Sequence, residues 1–264
     1  MAFENPYAQR IGEFASFVFN EPDIDRAGKW RDFFVARAGA DPRRLICEVG
    51  CSNAFFLGDI AARNQNTGFV GIDWKFKIVY KGARRVESLG LKNVALLRCH
   101  AQLLTRIFGE GEVDELWVFF PDPWAKKPQL KHRLLQESFL GAAHRVLKPG
   151  GRLYVKTDHP GYFQWLLALF GAEQPPLPEY SARNPAVRSY SARQVKVRRL
   201  EDDNLPPPSD VVRRAFALER YSTDYWGGSF VEPAAMFAGA KTLFEETFVK
   251  EGLPIYYLEL ARLP

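Results

Sequence analysis

The chain has 264 residues, 47% hydrophobic and 14% aromatic, which suits one large domain or a domain with an insertion. A net charge of +5 and a pI near 9.1 fit a nucleic-acid partner and an ordinary basic enzyme equally well. Three cysteines with no C-x-x-C, and no His cluster at metal spacing, exclude a disulfide framework and a zinc site, so reduced thiols and no metal are expected. No apolar run reaches membrane-spanning length, and MAFENPYAQR holds no apolar signal core. A soluble, cytoplasmic protein without a membrane partner is expected.

Residues 1–43 read as an N-terminal arm followed by a helix at 30–38. Residues 44–264 read as one α/β domain with a Pro- and Arg-rich insertion at about 172–212. The first strand, 44–50 (RLICEVG), ends at Gly50, where a sharp turn leads into a helix over 54–63. A helix N-terminus behind such a turn offers free N–H groups to a ligand. The second strand, 68–74 (GFVGIDW), carries Asp73 at its end, placed to accept hydrogen bonds from ribose hydroxyls. A helix over 75–89, a third strand over 94–100 and a short helix over 103–108 follow.

The fourth strand ends abruptly in Pro121-Asp122-Pro123-Trp124, with Lys126 and Lys127 behind it. Two prolines fix the backbone on both sides of Asp122 and deny it a helix. A rigid carboxylate at the carboxyl end of a central strand lies where open α/β sheets bind ligands. The plain alternative is a Pro-rich turn with a solvated Asp. Leu130, Leu134, Phe139, Ala143 and Leu147 then predict one amphipathic helix, ended by Pro149-Gly150-Gly151. A strand at 152–157, Asp158 and a helix over 161–170 complete five strand–helix alternations. These predict a doubly wound, mostly parallel sheet. Beyond the insertion, a strand at 213–221, a helix at 232–250 and a last strand at 255–260 are expected.

The stretch 115–133 resembles the bacterial tRNA (guanine-N7)-methyltransferases, whose signature is a strand ending in Phe-x-Asp-Pro-Trp, then lysines, then a basic helix. Glu48-Val49-Gly50 is similar to that family's Glu-x-Gly, Gly71-Ile72-Asp73 to its Gly-Ile-Glu, and Thr157-Asp158 to its Thr-Asp. Thr242-Leu243-Phe244-Glu245 is similar to its Thr-x-Phe/Tyr-Glu. Gly28-Lys29-Trp30 also matches, with a packing arm as the plain reading. The resemblance covers most of 22–171 and resumes at about 213.

It implies a seven-stranded, Rossmann-like class I methyltransferase fold, S-adenosylmethionine as cofactor and tRNA as partner, in a monomer or homodimer. The expected reaction is methyl transfer to N7 of a variable-loop guanine. Asp122 is the catalytic candidate. Glu48, Gly50, Asp73, His100 and Asp122 would hold the cofactor. Lys126, Asp158, Thr242, Leu243, Phe244 and Glu245 would hold the substrate. For Asp158, capping the next helix is the plain alternative, and for Phe244, core packing. Two of the family's loop glycines are Ser52 and Ala54 here, an acid after strand three is His100, and an Arg-His pair is Pro128-Gln129. Arg183, Arg188, Arg193, Lys196, Arg198 and Arg199 in the insertion are expected to clamp the tRNA backbone, with a solvated loop as the plain alternative. The alternative is an RNA-binding relative with altered specificity or no catalysis.

Overall fold

A computed structural model describes residues 5–21, 23–124, 126–177, 205–227 and 236–264. It divides into two compact units, Met1–Val118 with Arg145–Arg152, and Phe119–His144 with Leu153–Pro264. The insertion cations Arg183 to Arg199 lie outside the described residues.

In the first unit, the arm forms helix α1 (Pro6–Arg10) and a short strand β1 (Val18–Asn20), and α2 spans Trp30–Ala38. Then come β2 (Arg44–Val49), α3 (Phe55–Arg63), β3 (Thr67–Asp73), α4 (Phe76–Ser88), β4 (Val94–Arg98), α5 (Leu104–Ile107) and β5 (Val113–Phe119). The strands run in the order β1-β4-β3-β2-β5, and every pairing among them is parallel. Because β2 and β3 are covered on both faces, they read as continuous apolar runs rather than alternating ones. The chain winds outward from β2 through β3 to β4, then returns to place β5 on the other side of β2. The carboxyl end of β2 is therefore a topological switch point, where such sheets leave a crevice.

The arm is part of this core. Phe14 packs edge-on to Tyr80 of α4, and β1 brings the strands among the described residues to eight, against the seven expected. The Gly28-Lys29-Trp30 segment has a packing role. Trp30 is fully buried and its indole N–H donates to the Ile107 carbonyl at 2.8 Å. The Gly28 and Trp30 backbone N–H groups both donate to Glu112. Truncating such a tryptophan costs about 3–5 kcal/mol.

The second unit holds α6 (Glu137–Val146) up to His144, the last half of β6 (Leu147–Thr157), α7 (Pro160–Leu169), α8 (Asp210–Ala215), β7 (Phe216–Ser222), α9 (Leu243–Lys250) and β8 (Tyr256–Arg262). In the strand order β8 lies between β6 and β7, and it pairs with β7 antiparallel.

Three expected elements differ. The long helix after Lys126 is broken into a 3₁₀ turn, Lys127–His132, and α6. At Arg133 the backbone turns extended (φ −57°, ψ 137°), which sends its side chain into the interior. The freed Leu135 N–H donates to the Tyr162 hydroxyl instead of to a helix. Pro149-Gly150-Gly151 does not separate helix from strand, since β6 already begins at Leu147. The first three residues of the expected strand 213–221 are helical, because the Ser209 hydroxyl accepts the Val212 N–H and caps α8. The described helix before residue 250 starts only at Leu243, where Thr242 and Glu245 form a capping box.

Candidate functional site

The β2–α3 turn is held by its own backbone. The N–H groups of Gly50 and Cys51 both donate to the Ile72 carbonyl, at 2.8 and 3.0 Å. Gly50 (φ +84°), Ser52 (φ +50°) and Ala54 (φ +53°) are all left-handed, a region that costs a non-glycine residue about 1–2 kcal/mol. The two residues that replace family glycines therefore sit where glycine is the cheaper choice. The sites differ, however. Ser52 is exposed, whereas Ala54 is fully buried, its Cβ 3.3 Å from where a Cβ on Gly82 of α4 would lie. Ala54 thus faces the protein, and only Ser52 presents its side chain to solvent.

Glu48 is buried near the end of β2, and Asp73 is half-buried at the end of β3. Burial raises the Asp73 carboxyl above its ordinary range, opposed mainly by the Lys75 N–H, which donates to it at 2.9 Å. His100, after β4, is exposed and stacks on Trp74, with ring centroids 6.1 Å apart and planes 13° from parallel. Trp74 is 53% exposed, a large apolar ring beside Asp73 that sequence reasoning missed. Its position directly after a strand-end acid was the available signal. Glu48, Gly50, Asp73 and His100 are thus brought to the carboxyl ends of adjacent strands within the first unit. The three thiols are buried. Desolvation raises Cys99 to about 12, and Cys47 and Cys51 well above their usual value, so none is a ready nucleophile.

The Pro121–Pro123 turn belongs to the second unit and is pinned at both ends. On one side the Phe120 N–H donates to the Lys156 carbonyl at 2.8 Å. On the other the Pro123 carbonyl accepts Nε of Arg133, also at 2.8 Å. Phe120 (φ +55°) and Trp124 (φ +43°) are both left-handed, so the backbone is strained on either side of Asp122. Arg133 is 2% exposed, and its guanidinium lies over the Tyr162 and Trp165 rings at 4.7 and 5.2 Å. Burial lowers it to about 10. Asp122 is exposed, and its charge acts on the Tyr162 hydroxyl. Lys126 is exposed on the same loop.

Asp158 follows β6, half-buried, and desolvation raises it to about 6. It does not cap α7. His159 does, its Nδ1 accepting the Tyr162 N–H at 3.0 Å. Burial first, and Arg133 second, lower His159 to about 4, keeping the ring neutral and able to accept.

The Thr242–Glu245 segment splits by role. Leu243 and Phe244 are exposed, and the Phe244 ring packs on Phe248 and Phe120. Glu245 is fully buried and pairs at 2.7 Å with Lys156, which is buried too. Glu245 also accepts the Trp226 indole N–H and the Thr242 backbone N–H. The Lys156 ammonium lies 3.9 Å from the Tyr225 ring centroid and 4.9–5.6 Å from those of Phe237, Phe119 and Trp226. Glu245 is thereby committed to holding α9, while Leu243 and Phe244 are displayed by it.

Residues 42–203 match the model of the methyltransferase family Methyltransf_4, well over half the chain. The chain belongs to this family, that of the tRNA guanine-N7 methyltransferases. A Fusobacterium nucleatum subsp. nucleatum protein named bifunctional glycosyltransferase/methyltransferase is 28% identical over 167 residues, 62% of this chain. The chain matches only a quarter of that protein's length. Among solved structures, the 16S rRNA methyltransferase KamB superposes with a TM-score of 0.52 at 15% identity, over 94% of this chain and 99% of that one. The antibiotic-resistance methyltransferase Kmr gives 0.49 at 15% identity, over 88% and 91%. The KamB likeness shows the α/β methyltransferase fold with its mostly parallel sheet.

The family uses S-adenosylmethionine. The first unit fits that cofactor. No heavy atom lies within 4 Å of the place a Cβ on Gly50 would occupy, so the turn leaves open space beside its backbone. Asp73 offers a carboxylate at the next strand end, as a ribose requires. Among the described residues no helix is long and apolar enough to cross a membrane, and no group of three or more His, Cys, Asp or Glu side chains could hold a metal.

Proposed function

We propose that the protein methylates N7 of a guanine in tRNA, in the variable loop, with S-adenosylmethionine as methyl donor. The bound cofactor supplies an electrophilic methyl on a sulfonium. Guanine N7 carries a lone pair and no proton, so no side chain has to act as base. What remains for the chain is alignment of the two reacting atoms and stabilisation of the charge that develops on the purine. Glu48, Gly50, Asp73 and His100 hold the cofactor, and Asp73 takes the ribose. The fixed carboxylate of Asp122 stabilises the positive charge arriving on the base. Lys126 contacts phosphate. Asp158, Thr242 and the exposed Leu243 and Phe244 meet the guanine and its neighbours, with Phe244 as a stacking surface. Glu245 acts behind them by holding α9. The insertion at 172–212 adds backbone contacts.

The observation that carries this reading is the doubly pinned Pro121–Pro123 turn, which fixes a carboxylate in a loop that also carries Lys126. The family membership and the 16S rRNA named for the KamB neighbour support an RNA substrate. The test is methyl transfer to tRNA purified from a strain lacking the modification, followed by nucleoside mass spectrometry. 7-Methylguanosine is expected. Methyl on another atom would redirect the specificity. Cofactor binding by calorimetry with no product on any RNA would favour a binding protein.

A further inference from the structure

Arg133 is a buried charged side chain of the second unit for which the reaction has no direct use. A buried guanidinium usually sits against a carboxylate. Among the described residues Arg133 has none. Nε donates to the Pro123 carbonyl at 2.8 Å and one Nη to the Gly161 carbonyl at 3.5 Å, and the faces rest on Tyr162 and Trp165. The remaining Nη is buried without a hydrogen-bond partner. An apolar side chain of similar length would fill this space with less desolvation cost. The charge is therefore not explained by packing.

What the guanidinium does hold is the backbone next to Asp122. Its Nε bond ends on the carbonyl of the residue immediately after Asp122. Its second bond reaches the first turn of α7, and its ring contacts are to the same helix. The strained Phe120 and Trp124 need such an external hold, since their backbone would relax without one. We infer that Arg133 is a positioning residue, which fixes the Asp122 carboxylate by gripping the Pro123 carbonyl from the buried side of the turn. Asp122 then needs no side-chain partner of its own, and its charge stays available to the purine. This rests on the role proposed for Asp122. Sequence alone hides it, because Arg133 stands in a run with Lys131 and His132 that reads as one basic helix face.

The test compares Arg133→Lys, Arg133→Met, Asp122→Asn and the Asp122→Asn/Arg133→Met double variant in single-turnover methyl transfer to unmodified tRNA. Cofactor and tRNA are kept saturating, with their dissociation constants and the melting temperature measured alongside. Lysine keeps the buried cation but loses the planar fork. Arg133→Lys is expected to fold and to slow the chemical step about tenfold, and Arg133→Met about a hundredfold, the scale of a small misplacement of a reacting group. Both dissociation constants should stay within about twofold, because uniform binding is untouched. If Arg133 works through Asp122, the double variant is no slower than Asp122→Asn alone. An Arg133→Lys rate within about threefold of the parent overturns the inference while leaving Asp122 in place. So does a double variant whose losses add, or a rate loss matched by equal losses of cofactor affinity and melting temperature. Asp122→Asn with parental rate overturns both the inference and the reading beneath it. Should Arg133→Met not fold, Arg133→Lys, alone and combined with Asp122→Asn, decides by the same criteria.

Discussion

Two strand-end turns carry the proposed chemistry, and they are built by opposite means. The Gly50–Ala54 turn is held by backbone hydrogen bonds to Ile72, by the Ser52 N–H at the Asp73 carboxylate and by van der Waals contact, with no buried cation. The Pro121–Pro123 turn is held by a buried guanidinium and, through the Lys156 carbonyl, by a strand whose side chain is part of a buried ion pair. Left-handed non-glycine residues lie within the first turn and on either side of the second. The first turn should therefore be the more sensitive to volume, and the second to the loss of a buried cation.

The largest effect is expected where a buried charge loses its partner. Lys156→Ala strands Glu245 in the interior and should cost about 3–5 kcal/mol in urea unfolding. Lys156→Met with Glu245→Gln removes both charges and should recover much of that loss. A Lys156→Ala protein as stable as the parent would mean that the ring cluster, not the ion pair, holds α9.

Volume comes next. A Cβ on Gly71 would meet Cys51 Sγ at 2.7 Å, Leu57 Cδ2 at 2.8 Å and Leu96 Cδ2 at 2.9 Å. Gly71→Ala should destabilise by about 1–3 kcal/mol and weaken cofactor binding, because Cys51 belongs to the turn. If calorimetry found cofactor affinity unchanged, the turn would be less dependent on its packing than this comparison holds.

The third test uses pH on the second unit. His159, lowered to about 4, stays neutral in the folded protein while an unfolded histidine gains a proton near pH 6.5. Its contribution to stability is lost as pH falls from about 6.5 to 4. Asp158, raised to about 6, has the opposite slope, because below that pH the folded form holds a proton that the unfolded chain releases down to its ordinary 3.8. The two largely cancel between pH 4 and 6. Asp158→Asn should leave the histidine slope unopposed, up to about 1.4 kcal/mol per pH unit, and should be more stable than the parent at pH 7.5. Parallel stability–pH curves for parent and variant would rule out this opposition.

The smallest effect belongs to the altered glycine positions. Ser52→Gly relieves a left-handed residue whose side chain faces solvent, and should stabilise by up to about 1 kcal/mol without loosening the cofactor. Ala54→Gly gains the same relief but gives up a buried methyl against α4, so no net gain is expected. A marked loss of affinity in Ser52→Gly would show that the serine itself is a contact.

Much of this was legible because it depends on local chemistry. Apolar runs stopped by Gly50, Asp73 and Pro121 mark strands and their ends, and two prolines announce a rigid turn around Asp122. The elements misread are those decided by distant partners. Nothing near Arg133 says that it turns inward to meet Pro123 and Gly161, so an apolar stripe read as one helix is in fact a 3₁₀ turn and a helix. Ser209 as a cap was readable, but the expected strand begins at Arg213, inside the helix that Ser209 caps. Glu245 carried a motif that marks it as a substrate contact. Its place against Lys156, 89 residues earlier in the chain, could not be read locally. Likewise the sequence shows two lost glycines but not that Ala54 faces inward and Ser52 outward.

The most direct measurement is the single-turnover rate of Asp122→Asn on unmodified tRNA, with S-adenosylmethionine affinity determined by calorimetry on the same preparation. A preorganised carboxylate facing a developing purine charge is expected to be worth about a hundred- to a thousand-fold in rate. The fold, and cofactor affinity to within a few-fold, should survive. A rate within a few-fold of the parent, with cofactor and tRNA bound normally, would contradict the account.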